Sequence, residues 1–94
     1  MYHIYVTYTA KPGTREEFLE QIAALGLRQA VLAEEGCLGY DYYRAVDNPD
    51  QVLLVERWES PAHQQAHLNQ PHMQALPGLK ERYILDTSLE RYEL

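Results

Sequence analysis

Residues Glu56–His72 read ERWESPAHQQAHLNQPH, and the reading of this stretch settles how the remainder of the chain is organised. It leaves an apolar run, Val52-Leu53-Leu54-Val55, turns at Ser60-Pro61 and enters a short helix. Three of the four histidines lie on it. His63 and His67 are four apart, which stacks them on one helical face beside the small Ala62 and Ala66. Pro71 disfavours helical geometry at Gln70, so His72 is expected to begin a new turn at an angle to the first. Imidazoles converging behind a strand end that carries Glu56 and Trp58 would wall a small pocket.

Upstream, residues 2–10 alternate as a strand, with Tyr2, Ile4, Val6, Tyr8 and Ala10 on one face and His3, Tyr5, Thr7 and Thr9 on the other. Lys11-Pro12-Gly13 stops it. Thr14-Arg15-Glu16-Glu17 fits a capping box, opening a helix expected to run to about Glu34. Its apolar stripe is Phe18, Leu19, Ile22, Leu25, Gly26, Gln29, Ala30, Leu32 and Ala33. Gly26 costs roughly 1 kcal/mol against Ala in a helix, which points to a bend or close packing there. Gln29 either reaches an edge or faces a polar cavity. Residues 37–46 form a second strand, with Leu38, Tyr40, Tyr42, Arg44 and Val46 on one side. The turn Asp47-Asn48-Pro49-Asp50 joins it to a third, Gln51–Glu59. A last strand, Tyr83–Tyr92, follows Pro77-Gly78. The order β-α-β-β-α-β predicts a ferredoxin-like α+β fold, an antiparallel sheet with helices on one face.

Ninety-four residues make one domain, residues 1–94, with no room for a second core. The net charge of −6, two lysines and scattered arginines argue against a nucleic-acid surface. No apolar run approaches the ~20 residues that span a bilayer, and no secretory start is visible. The single cysteine, Cys37, excludes an intrachain disulfide and any cysteine-based metal cluster. The expectation is an acidic, cytoplasmic domain. The third strand is apolar on both faces at its centre, Val52 and Leu54 against Leu53 and Val55, and helices cover only one face. A second copy is the simplest lid for the other, so a homodimer is expected, its two sheets closing into a barrel.

The blocks Glu34-Glu35-Gly36-Cys37-Leu38-Gly39-Tyr40, Glu56-Arg57-Trp58-Glu59-Ser60, Ala62-His63, Ala66-His67-Leu68 and Pro71-His72-Met73 resemble the antibiotic biosynthesis monooxygenase domain, in its quinol monooxygenase-like branch. The resemblance spans nearly the whole chain. It implies a dimeric α/β barrel with a pocket between sheet and helices in each subunit. It also implies oxidation of quinols or electron-rich phenols by O₂ with no flavin, haem or metal. The family includes haem-degrading enzymes, an isomerase of a phosphorylated signalling sugar, and members without known activity. Haem degradation is disfavoured here, because Pro77 stands where those relatives place the axial histidine.

A cofactor-free oxygenase needs a base that takes a phenolic proton, a hold on the anion, and exclusion of water. His67 is the first choice for the base, with His63 as its partner or alternate. Glu56 either orients a histidine from the same strand face or pairs with Arg44 across the hairpin. The residues assigned to substrate binding are His72, Trp58, Tyr8, Tyr42, Gln29 and Arg44; each also has an ordinary structural reading as core, cap or surface group. A three-ligand metal site from His63 and His67 with Glu56 or His72 is weighed and set aside, because the helix lacks a glutamate directly after the first histidine. The remaining alternatives are a non-catalytic binding barrel of the same fold, and isomerisation of a small phosphorylated carbonyl compound. An arginine in the pocket would favour the latter.

Overall fold

The computed structural model describes residues 1–94. In chain order it holds β1 (Tyr2–Ala10), α1 (Arg15–Ala24), α2 (Leu27–Leu32), β2 (Cys37–Arg44), β3 (Gln51–Trp58), α3 (Pro61–Leu68), a 3-10 turn (Pro71–Ala75), α4 (Leu76–Tyr83) and β4 (Ile84–Glu93). The four strands form one antiparallel sheet in the order β2-β3-β1-β4. This is the ferredoxin-like arrangement expected from the element order.

Strand alternation sets the inner face, the one beneath the helices. Ile4, Val6, Tyr8 and Ala10 of β1 and Val52, Leu54, Glu56 and Trp58 of β3 are all buried. Register places Tyr8 opposite Val52, Val6 opposite Leu54 and Ile4 opposite Glu56, so the two strands present one continuous wall. Phe18, Ile22, Leu27 and Val31 from α1 and α2, with Leu76 and Tyr83 from α4, close over it. The Phe18 ring sits 5.6 Å from Tyr8 and 6.2 Å from Tyr83 at steep angles, the tilted arrangement aromatic quadrupoles prefer.

Three local expectations are corrected. The single helix to Glu34 is two helices, broken where Gly26 takes the left-handed conformation, φ 64° and ψ 23°. That residue resets the helical phase. Leu27 and Val31, outside the expected stripe, enter the core, while Leu25 and Leu32 turn outward. Thr14 does not cap a helix N–H; its hydroxyl donates to the carbonyl of Lys11 at 2.7 Å. In β2 a bulge between Cys37 and Gly39 shifts the side-chain phase. Tyr40 is therefore buried while Leu38 and Val46 face outward, and Val46 lies beyond the strand end. The bulge also brings Gly39 so close to the Arg57 guanidinium that a Cβ would collide with it.

The outer face has no cover within the chain. Leu53, Val55, Tyr5 and Thr7 are half-buried there, and every residue of β4 after Ile84 is exposed, Leu85, Leu89 and Tyr92 among them.

Candidate active site

Glu56 and Trp58 share the inner face of β3 because they are two residues apart. The Trp58 indole N–H donates to Glu56 Oε1 at 3.1 Å. Burial pushes the Glu56 carboxyl above the usual carboxylate range, against the opposing pull of that hydrogen bond and of His67. Arg44 is not its partner. The register sets Arg44 opposite Val52 and Tyr40 opposite Glu56, and the Arg44 guanidinium is held by Glu16 at 2.7–3.1 Å.

Helix α3 starts at Ser60, whose Oγ accepts from the His63 N–H at 3.3 Å, with Pro61 in the first turn where a missing N–H costs nothing. The same Oγ lies 2.7 Å from His63 Nδ1. The His63 ring packs where a side chain on residue 36 would otherwise sit, with Nε2 near the carboxylates of Glu35 and Glu59. One turn later His67 points inward and is only 1% exposed. Its ring lies 4.8 Å from Trp58 and 5.7 Å from Tyr40. Both His67 Nδ1, at 2.8 Å, and His72 Nε2, at 2.7 Å, bond to Oε2 of Glu34. The three histidines thus divide. His67 and His72 share a carboxylate, and His63 serves the helix start.

Glu34 is the site residue that sequence reasoning missed. It lies in the turn between α2 and β2, 33 and 38 positions from its two imidazoles, and no periodicity links residues so far apart. In the sequence it stands out only as the first residue of the Glu34–Tyr40 block that carries the family resemblance, two positions ahead of Gly36, whose φ of 79° sharpens the turn. Glu34, His67 and His72 offer ligand atoms within 4.8 Å of one another, a two-histidine, one-carboxylate set suited to a transition metal. His63 and Glu56 do not belong to this set. Pro77 sits in α4 and offers no ring donor for haem iron.

Beside the histidines lies a cluster of phenols. Tyr8 and Tyr40 are buried, Tyr42 is partly so, and the Tyr40 and Tyr42 rings meet edge to face at 5.7 Å. Burial pushes the Tyr42 phenol up to about 12, and Tyr8 and Tyr40 are raised further, burial first, then the neighbouring Tyr42 phenol and Glu56. All three are neutral hydrogen-bonding groups at neutral pH.

A cleft of about 370 Å³ opens between α1, α2 and β2, with Leu19, Ile22, Gly26, Gln29, Tyr42 and Arg44 among its walls. Gln29, Tyr42 and Arg44 therefore meet one space, as their shared assignment supposed, while Tyr8, Glu56, Trp58 and His67 lie in the buried cluster. Tyr40 joins the two regions, touching Tyr42 on one side and His67 on the other. A smaller depression of about 220 Å³ is walled by Glu34, Glu35, His63, Ala66 and Gln70.

Against known proteins, the family model described as "Antibiotic biosynthesis monooxygenase" matches residues 1–76. The Escherichia coli K12 protein YgiN, described as a probable quinol monooxygenase, is 38% identical over 89 residues, covering 84% of either chain. The crystal structure of PA3566 from Pseudomonas aeruginosa superposes with a TM-score of 0.86 at 26% identity, covering 99% of this chain and 93% of that one. A crystal structure of an antibiotic biosynthesis monooxygenase reaches 0.86 at 19% identity over 100% and 98% of the two chains, which speaks for the fold alone. With the family model spanning most of its length and the fold shared end to end, the chain belongs to the antibiotic biosynthesis monooxygenase family.

Proposed function

We propose that this chain is a homodimeric monooxygenase that oxidises a quinol or polyphenol with O₂ and without a cofactor. The observation that carries this reading is the Glu34–His67 hydrogen bond, set in an aromatic cage that adjoins a tyrosine-walled cleft. Likeness to YgiN supports the substrate class.

The carboxylate of Glu34 accepts from an N–H at His67 Nδ1, a tautomer assigned from that contact, and so leaves Nε2 as the lone pair. His67 stands behind Tyr40 and not on the cleft wall, so it takes a phenolic proton from a substrate that passes Tyr40, and the electron-rich anion then delivers an electron to O₂. Tyr42 donates to a substrate oxygen from the cleft wall, while the Trp58 and Tyr40 rings keep water from the base. Arg28 and Arg44 both line the cleft, but the Arg44 guanidinium is engaged by Glu16, and that of Arg28 by Asp41 and the Tyr40 carbonyl. The isomerisation of a phosphorylated carbonyl compound thereby loses its natural anchor. The uncovered aliphatics of the outer face and the bare β4 support pairing with a second copy.

The test is oxygen uptake with a panel of dihydroxy-aromatics, comparing wild type with His67→Ala. Loss of the base is expected to lower the rate by roughly 10²–10⁴-fold. Equal uptake by both proteins across the panel removes the oxygenase reading and leaves the fold untouched.

A further inference from the structure

The side chain of Glu34 is 6% exposed, and its partners are His67 Nδ1 and His72 Nε2 alone. No lysine or arginine reaches it. A neutral imidazole supplies a hydrogen bond but no charge, so the buried carboxylate has no permanent counter-ion. Around it stand two imidazole nitrogens aimed at one point.

We propose that Glu34, His67 and His72 form a binding site for one divalent transition-metal ion of the zinc type. Ligand bonds of ~2.0–2.2 Å in a tetrahedral site put neighbouring donor atoms roughly 3.3 Å apart. The present separations from Glu34 Oε2, 2.8 and 2.7 Å, must therefore widen by about half an ångström to admit the ion, and the two imidazole nitrogens, within 4.8 Å of each other, must settle to the same spacing. Glu34 supplies the first movement, because it sits in a turn, and the partly exposed His72 ring the second, whereas His67 is held by α3. The way in is the depression of about 220 Å³ that Glu34 itself walls, with Glu35 at its edge and Glu59 beside His63. These acids draw cations towards it. Trp58 and Tyr40 back the site on its inner side. Two imidazoles and one carboxylate suit Zn²⁺, Ni²⁺ and Cu²⁺ and do not suit Mg²⁺, which asks for oxygen ligands.

Occupancy would also switch off the base, a consequence that rests on the oxygenase reading above. In the metal-free chain the His67 proton is on Nδ1 and the lone pair is on Nε2. An ion bonded to Nδ1 requires that proton to sit on Nε2 instead, with no net gain or loss of protons. The ring then has no site to receive a phenolic proton.

The experiment uses the full chain, stripped with a chelator, and titrates ZnCl2 by calorimetry. A second measurement follows Trp58 fluorescence on adding CuCl2, since the only tryptophan of the chain has its ring 4.8 Å from that of His67. One ion per chain and strong quenching are expected, with MgCl2 giving neither. His72→Ala, which truncates a side chain already 26% exposed and so spares the core, should weaken Zn²⁺ binding by about 10²-fold, and Glu34→Gln likewise. His3→Ala, on the outer face, should leave it unchanged. Absence of binding, or equal binding by wild type, His72→Ala and Glu34→Gln, overturns the site. Zn²⁺ should also suppress the oxygen uptake of the wild type, and a chelator should restore it. Binding through these three residues without suppression keeps the site and overturns the switch.

Discussion

On the inner face of the sheet, Val52, Leu54, Glu56 and Trp58 are at most 6% exposed, and each meets a helix or a named polar partner. On the outer face their neighbours Leu53 and Val55 are equally apolar, yet only half-buried, and β4 beside them lies bare. The same alternation produced both faces. What differs is the supply of cover, since the helices pack on one side only. Alternation thus fixes which residues share a face, while burial depends on what the chain, or a second chain, lays over it.

The largest expected effect comes from breaking the inner face. Trp58→Ala should cost about 3–5 kcal/mol in denaturant unfolding, because a fully buried ring leaves a cavity its neighbours cannot fill. Val55→Ala should cost far less in the isolated chain, and a comparable loss at both positions would erase the distinction between the faces. Val55→Asp tests the outer face itself. It buries an unpaired carboxylate on each side of the proposed interface and should weaken self-association by ~10²-fold or more, read by sedimentation. A wild-type chain that is monomeric at every accessible concentration removes the dimer. The smallest effect sharpens the inner face. The Tyr42 phenol is raised from 10 to about 12 in the folded chain, so the unfolded chain releases its proton first as pH rises. Stability from this group is intact below pH 10 and is lost as pH climbs towards 12, by up to roughly 2 kcal/mol. Tyr42→Phe should flatten that slope, and an unchanged slope would mean the phenol is not enclosed.

Much of the fold could be read from β1 and β3, where strict alternation named the buried face, and from the order of elements. The Glu56 and Trp58 pair was legible for the same reason, since residues two apart on a strand share a side. Two single-residue features were not. Gly26 reversed the phase of the helix, and the bulge at Cys37–Gly39 that of β2, and each acts through a backbone torsion that composition does not encode. The expectation that His63 and His67 converge failed because spacing orients side chains relative to their own helix, not relative to the sheet. Ser60 and Gly36 hold His63 to the rim, whereas His67 meets Trp58. Glu34 was out of reach because its role exists only after the turn behind α2 has packed against α3.

The left-handed residue between α1 and α2 has one more consequence. Leu19 and Ile22 lie before it and Gln29 after it, and all three wall the cleft, so the width of that space follows from one φ angle. Nothing stands within 4 Å of where a Cβ would be, which makes the requirement for glycine purely torsional. An L-alanine there would strain the corner by about 1 kcal/mol although it touches nothing, whereas its mirror image would fit at rest. The width of this cleft is therefore gauged by a peptide unit carrying no side chain at all.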